Sequence, residues 1–225
     1  MSATIFRGAQ LIDPDHDDTG VGDLCVVGGV IANEAPDDAV VIDCAGLCLA
    51  PGIIDVGVKV SEPGERHKES YRTAGRAAAA GGVTTMVTRP DTDPAIDTPE
   101  VLEFVTRRAR ETAPVRVAHM AALTKGRDGR EMVEVGFLSD AGAVAFTDCD
   151  RVITDTKVFA RALTYAQSLD ALVIAHPQDP GLSRGAAATS GKFASLRGLP
   201  AVSPMAERLG LERDLAMVEM TGAAY

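Results

Sequence analysis

Residues 50–64 read APGIIDVGVKVSEPG, and this stretch decides how the chain is expected to fold. The apolar run at residues 53–60 is typical of a β-strand. Residues i and i+2 of a strand point to the same side, so Gly57 and Lys59 share one side of this strand. Glycine offers no ligand atom, and a protonated lysine adds positive charge without a free lone pair. This side of the strand is therefore poorly suited to a metal ion.

The pattern of predicted secondary structure changes at residue 51. Short strand-like runs broken by turns, at residues 4–12, 24–31 and 40–49, predict a small β-module over residues 1–50. Over residues 51–225, strand-like runs alternate with helical patterns, which indicates a parallel sheet with crossover helices. We expect strands at residues 53–60, 83–89, 115–121, 143–147 and 172–176. We expect helices at residues 68–80, 98–112, 132–138, 154–169 and 204–221.

Five such units predict an α/β fold, the N-terminal part of a (β/α)8 TIM-like barrel. A closed barrel needs eight strands and about 250 residues, so we expect this chain to be a truncation of a longer protein. An open parallel barrel leaves strand edges and apolar faces uncovered. The edge at residues 172–176 and the last helix favour association, with a homo-oligomer as one form. The apolar residues of that helix are Leu209, Leu211, Leu215, Met217 and Val218.

Composition narrows the classes of function. The chain has 46% hydrophobic residues, a formal net charge of -10 and a pI near 4.8. Nucleic-acid and anionic-membrane surfaces require basic patches, so neither partner is expected. The N-terminus does not look like a signal peptide, and no apolar run is long enough to cross a bilayer. We expect a cytoplasmic protein whose four cysteines, without a C-x-x-C pair, are buried free thiols.

Five motifs occur in order along the chain. Residues 62–69 (EPGERHKE) resemble E-P-G-x-x-H-K-E, and residues 77–85 (AAAAGGVTT) resemble A-A-A-A-G-G-x-T-T. Residues 90–97 (PDTDPAID), 142–148 (GAVAFTD) and 175–179 (AHPQD) resemble P-N-T-D-P-x-x-D, G-A-x-A-F-T/S-D and A-H-x-E-D. With the first strand, these motifs resemble the dihydroorotases, metal-dependent cyclic amidohydrolases, over essentially the whole chain.

The resemblance implies that four functional positions are changed. In the family the first strand reads P-G-x-I-D-x-H-x-H, and Gly57 and Lys59 stand where its two metal-binding histidines belong. Ser61 stands where an arginine holds the substrate carboxylate, and serine cannot form that bidentate pair. Asp91 replaces a hydrogen-bonding asparagine and would repel an anionic substrate. No catalytic or substrate-binding residue is therefore expected.

Two vestigial metal ligands remain by resemblance. His176 matches the fifth-strand histidine, and Asp148, or its neighbour Asp150, matches the fourth-strand aspartate. The other histidine and the general-base aspartate come from later strands, which this chain lacks. Two ligands are fewer than the three of a catalytic zinc site, so no cofactor is expected. Lys59 is expected to pair with a carboxylate such as Glu62 or Asp91.

The remaining reactive side chains have simpler interpretations. His119 lies in an apolar strand and is expected to be a hydrogen-bonded core imidazole. His67 belongs to a surface-loop motif, and His16 to a solvated acidic loop at residues 13–18. Cys149 has no base beside it in the sequence and is expected to be a buried thiol.

Dihydroorotases use zinc to activate water and interconvert dihydroorotate and carbamoyl aspartate in pyrimidine biosynthesis. Because the ligand and substrate positions are changed here, the resemblance implies a catalytically inactive homologue that acts as a scaffold for aspartate carbamoyltransferase. One alternative is an active zinc-dependent cyclic amidohydrolase with a site rebuilt from Asp148, Asp150 and His176. Another alternative is a truncated remnant.

Overall fold

The computed structural model describes residues 2–15 and 20–225. The chain divides into two compact units, Met1–Ile53 and Ile54–Tyr225. The first unit is one sheet in the order β3-β2-β1-β4, with β5 also paired to β1. Strand β1 runs antiparallel to β2 and parallel to β4 and β5. The strands are β1 (Ala3–Leu11), β2 (Val21–Val27), β3 (Val30–Ala32), β4 (Val40–Asp43) and β5 (Cys48–Leu49).

Two of the expected strands in this unit are each divided in two. The run at residues 24–31 is a hairpin, because Gly28 and Gly29 form its turn with φ of 60° and 85°. Tight hairpin turns with positive φ at both central residues match the twist of the strands, and glycine adopts that φ without strain. The run at residues 40–49 is likewise split into β4 and β5.

The second unit alternates strands and helices, which confirms the predicted α/β class. Strands β6 to β9 form one sheet in chain order, and β7, β8 and β9 run parallel. These four strands are β6 (Ile53–Val58), β7 (Val83–Thr88), β8 (Arg116–Ala121) and β9 (Ala143–Phe146). The helices between and after them are α1 (Tyr71–Ala80), α2 (Pro99–Thr112), α3 (Val135–Asp140) and α4 (Thr156–Ser168).

The expected strand at residues 172–176 was wrong in extent. Only Val173 forms a bridge, parallel to Phe146 of β9. The Leu172 carbonyl accepts from the Phe146 amide and the Ile174 amide donates to the Phe146 carbonyl, so the pairing with β9 is confined to this one bridge. On its other edge, the Val173 amide donates to the Ala224 carbonyl. The chain then continues through α5 (Pro180–Ser183), β10 (Ala188–Thr189), α6 (Lys192–Arg197), β11 (Ala201–Val202) and α7 (Met205–Thr221).

Helices pack one side of the parallel sheet and enclose the core. Helix α2 buries Leu102, Val105 and Ala109, whose spacing puts them on one face of the helix. Helix α1 starts with a capping box between Ser70 and Thr73 and buries Tyr71. The largest fully buried side chains of this core are Tyr71, Phe146, Met86, Ile96, Leu102, Leu123, Leu138 and Leu163.

Helix α7 packs through a different face from the one expected. Its fully buried residues are Ala206, Gly210 and Asp214, whereas Leu209, Leu211 and Leu215 remain 40–46% exposed. The close approach of the Gln178 backbone explains this orientation. A Cβ atom on Gly210 would lie 2.4 Å from the Gln178 nitrogen, so only glycine fits at that position. Met217 and Val218 do pack against the core, as expected.

Within the described ranges, no helix has the length and apolarity that crossing a membrane requires. All four cysteines are free thiols, but only Cys44 and Cys149 are buried. Cys48 is exposed and Cys25 is half-buried, which corrects the expectation of four buried thiols.

Candidate functional site at the carboxyl ends of the parallel strands

A pocket of about 310 Å³ opens where the parallel strands end. Functional sites of parallel α/β folds lie at this edge, because loops from several strands converge there. The lining residues come from the ends of β6, β7, β8 and β9 and from the segment after Val173. They are Val56, Gly57, Arg89, Met120, Thr147, Cys149, Asp150, Ile174, Ala175 and His176.

Gly57 brings the backbone of β6 to the pocket without a side chain. Its φ is 98°, a conformation that residues with a Cβ rarely adopt. In the part of the chain that the structure describes, no atom lies within 4 Å of where a Cβ would be placed, so the obstacle to a side chain is backbone strain and not space. Position 57, where the family has its first histidine ligand, therefore differs in two ways. It has no side chain, and its backbone conformation is unfavourable for histidine.

Lys59 is held by an ion pair. Its Nζ lies 3.1 Å from Oδ2 of Asp91, and the Asp91 side chain is only 4% exposed. Arg89 donates from Nη2 to the same oxygen at 2.8 Å. Of the two partners expected for Lys59, the structure selects Asp91. Glu62 accepts instead from Arg108 at 2.7 Å and from the Tyr71 backbone amide at 3.1 Å.

The charges at the strand ends form an alternating chain. From Asp91 it continues through Arg89 to Oδ1 of Asp150 at 3.9 Å, and Arg127 approaches that oxygen to 3.2 Å. Burial by itself would lower the pKa of Arg89, but the Asp91 carboxylate raises it above its ordinary value. Burial would likewise raise the pKa of Asp150, but its backbone hydrogen bond and Arg127 lower it overall. Asp91 is therefore balanced by two cations rather than left to repel an anion alone.

Asp148 points away from the pocket. Its Oδ1 accepts from the Leu123 and Thr124 amides, both at 3.0 Å, and its Oδ2 accepts from the Thr124 hydroxyl at 2.5 Å. Burial raises the pKa of this carboxyl group even though these hydrogen bonds favour its charged form. Asp148 thus fixes the segment after β8, whereas its neighbour Asp150 faces the pocket.

His176 is an exposed residue that lines the pocket with Cys149 and Asp150. These three side chains do not converge. Across residues 2–15 and 20–225, no group of three or more His, Cys, Asp or Glu side chains is arranged to hold a metal ion. Catalytic zinc needs three protein ligands with an open fourth position. The residues present do not fit the zinc that the family resemblance implies.

The other candidate residues from the sequence are buried or lie outside the pocket. Ser61 is buried, and its carbonyl accepts from the Glu65 amide. Burial raises the pKa of the Cys149 thiol, which disfavours a thiolate nucleophile. His67 lies in the turn before α1, and His16 lies outside the described residues.

His119 is buried on the helix-facing side of β8. Its Nδ1 lies 2.7 Å from the Thr88 hydroxyl, and its ring meets that of Tyr71 edge-on at 5.7 Å. Burial lowers the pKa of His119 to about 4, so the imidazole is neutral at ordinary pH. This is the hydrogen-bonded core imidazole that the apolar strand predicts.

Two arginines of the site were missed from the sequence. Arg89 is the last residue before the P-D-T motif, and Arg127 lies in the loop after β8. Arg89 could have been noticed from the sequence, because it joins a predicted strand directly to this motif. Their joint contact with Asp150 depends on the fold and could not be read from the spacing.

Comparison with known proteins gives a consistent result. The family model "Dihydro-orotase-like" matches residues 46–225. The chain is 39% identical to a dihydroorotase of Syntrophobacter fumaroxidans and 41% identical to a dihydroorotase-like protein of Pseudomonas putida. These matches cover 97% and 96% of this chain but 52% of each relative, so the chain spans about half the length of the curated relatives it matches.

Among solved structures, similarity extends to the hydantoinases. The L-hydantoinase of Arthrobacter aurescens matches with a TM-score of 0.79 at 17% identity, over 99% of this chain and 52% of that protein. The D-hydantoinase of a Thermus species matches with a TM-score of 0.75 at 22% identity, over 98% and 50%. At such identities the similarity concerns the fold.

Proposed function

Because the chain belongs to the dihydroorotase-like family of amidohydrolases, we propose that it is a catalytically inactive, cytoplasmic member that serves pyrimidine biosynthesis as a scaffold for aspartate carbamoyltransferase. One observation carries the inactive part of the proposal. The first strand has a glycine with a φ of 98° and an ion-paired lysine at its two ligand positions.

The electrostatics of the pocket support the same conclusion. A zinc ion at the end of β6 would lie beside Lys59 and Arg89, whose positive charges oppose a divalent cation at short range. Asp91, the carboxylate beside both cations, is already ion-paired with Lys59 and accepts a hydrogen bond from Arg89. Without zinc, a cyclic amide loses both the activated water and the polarised carbonyl on which hydrolysis depends.

Metal analysis with an activity assay tests the inactive state. The purified chain, dialysed and then incubated with zinc, is expected to hold less than one zinc per chain and to leave dihydroorotate unchanged. The double variant Gly57→His, Lys59→His is expected to remain inactive, because Ser61 and Asp91 are unchanged. One firmly bound zinc together with turnover of dihydroorotate would overturn the proposal.

The scaffold role rests on the contrast between a changed pocket and a well-packed fold. The motifs at residues 62–69 and 77–85 form a loop and a helix end, and the core behind them buries Tyr71, Met86 and Leu102. A stable interface with the carbamoyltransferase should bury more than about 1,000 Å² in total. Co-expression followed by size-exclusion chromatography should give one joint high-mass peak. Separate elution of the two proteins at micromolar concentration would contradict the scaffold.

One observation keeps an active zinc-dependent cyclic amidohydrolase as the alternative. Asp150 and His176 line the same pocket, as a rebuilt site would require. Asp148, the third residue of that site, instead has both carboxylate oxygens engaged by Leu123 and Thr124. Zinc binding abolished jointly by Asp150→Asn and His176→Gln would favour this alternative.

A further inference from the structure

A surface patch on residues 180–206 combines exposed apolar side chains with unpaired positive charge. Phe193 and Leu196 of α6 are 68% and 75% exposed, and Leu182 of α5 is 51% exposed. Three basic residues lie among them and are also exposed. We call this set the basic patch; it consists of Leu182, Arg184, Lys192, Phe193, Leu196 and Arg197.

The charge of this segment is opposite to that of the protein. Residues 180–206 contain three basic residues and no aspartate or glutamate, within a chain of net charge -10. Among the described residues, none of the three has a carboxylate partner within 4.0 Å, in contrast to the paired Lys59 and Arg89 beside the pocket but like other exposed arginines such as Arg107. The positive charge of the patch is thus available to another molecule.

The patch is presented by ordered backbone. The Ala187 amide donates to the Pro200 carbonyl and the Ser190 amide to the Val202 carbonyl, which joins the segments before and after α6. Ala194 is 2% exposed and anchors α6 from its inner side. The Arg197 guanidinium lies 5.7 Å from the centre of the Phe193 ring. This arrangement presents an aromatic and an arginine together, the residue types enriched where binding energy concentrates.

We propose that the basic patch binds an acidic surface of a partner protein, with Phe193 and Leu196 entering an apolar centre and Arg184, Lys192 and Arg197 facing a carboxylate rim. This inference rests on the proposed function, in which the partner is the carbamoyltransferase, and adds the surface and chemistry of contact. Opposite charge at the rim steers association and selects the partner, while buried apolar anchors supply affinity.

The overall charge argues for a protein rather than an anionic bilayer. A bilayer is a broad planar anion, so docking the patch on it would bring the rest of an acidic chain close to like charge. A protein surface can contact the patch alone. Helix α6 is also only six residues long, which is short for an amphipathic helix lying in a membrane interface.

Quantitative binding of the full chain to the purified carbamoyltransferase tests the inference. Phe193→Ser and the pair Lys192→Glu, Arg197→Glu are each expected to weaken binding by at least about tenfold. Phe137→Ser is the matched control, because Phe137 is 66% exposed on α3 outside the patch. Arg107→Glu, an exposed residue of α2, is the control for charge. Both controls are expected to bind as the original chain does, and raised salt should weaken binding of the original chain more than of the charge-reversed pair.

The outcomes separate this inference from the function on which it rests. Binding by the original chain and equal binding by all variants would overturn the patch and leave the scaffold intact. A complete lack of binding by the original chain would overturn both. Capture by vesicles of anionic lipid, or self-association, that is lost in Phe193→Ser but not in Phe137→Ser would assign the patch to another occupant and would also overturn it.

Discussion

The helix-facing side of the parallel sheet and its pocket side are built by the same strands but held together by different forces. Met86 of β7 and His119 of β8 face the helices and are fully buried in a mostly apolar layer. Arg89, directly after β7, and Met120, next to His119 in β8, line the pocket, where Arg89 forms an ion pair with Asp91. Because successive residues of a strand point to opposite sides, the residues of one side can differ without altering the packing of the other.

The comparison predicts the largest loss of stability on the helix-facing side. Leu102→Ala removes a fully buried side chain of α2 and should lower the free energy of unfolding by about 3–4 kcal/mol. Phe104→Ala on the same helix is the control, since Phe104 is 41% exposed and its loss should cost clearly less. Urea denaturation measures both. Equal losses would mean that α2 packs the sheet less tightly than its burial indicates.

On the pocket side, the most sensitive group should be Asp91. Asp91→Ala leaves Lys59 and Arg89 without their shared carboxylate and should lower the free energy of unfolding by about 3 kcal/mol. Asp150→Ala is the control, because that carboxylate is 72% exposed and such pairs contribute about 1 kcal/mol or less. A result in which Asp150→Ala costs as much as Asp91→Ala would show that burial does not set the strength of this charge network.

A pH titration should distinguish the two sides further through His119. Its folded pKa of about 4 lies below the ordinary 6.5, so the unfolded chain binds the extra proton first as pH falls. The free energy of unfolding should therefore be unaffected by His119 above pH 6.5 and should decrease as pH falls from 6.5 to about 4. The decrease due to His119 should be on the order of 2–3 kcal/mol. The urea midpoint of His119→Gln, followed against pH, should decline less than that of the original chain. Parallel declines would assign the pH dependence to the carboxylates instead.

The sequence predicted the features that depend on neighbours along the chain. The alternation of strands and helices after residue 51 and the absence of histidine at Gly57 and Lys59 could be seen directly, and the family match confirms the resemblance. Features that depend on contact between distant segments could not be seen. The face through which α7 packs is set by the Gln178 backbone against Gly210, and apolar periodicity alone favoured its leucines.

The same limit applies at the pocket. Asp148 and Asp150 are both compatible with the family register, and only the contact of Asp148 with Leu123 and Thr124 separates their roles. The ion pair of Lys59 was expected from its charge, but the choice between Glu62 and Asp91 required the positions of Arg108 and Arg89. The left-handed backbone at Gly57 has no signature beyond glycine itself.

The smallest expected effect is that of a substitution at Gly57. It distinguishes the effect of a missing side chain from the effect of the backbone conformation. If only the side chain differed, Gly57→His would be nearly neutral, since no atom of residues 2–15 and 20–225 lies within 4 Å of the added Cβ. With φ at 98°, the substitution should instead cost about 1–2 kcal/mol in the free energy of unfolding. Gly20→His is the control, because Gly20 has no positive φ and, among the described residues, no atom within 4 Å of an added Cβ. Zinc should not raise the melting temperature of Gly57→His, because Lys59 and Arg89 keep their charges near the new imidazole. A neutral Gly57→His that is stabilised by equimolar zinc would show that this strand still has the conformation of a metal site.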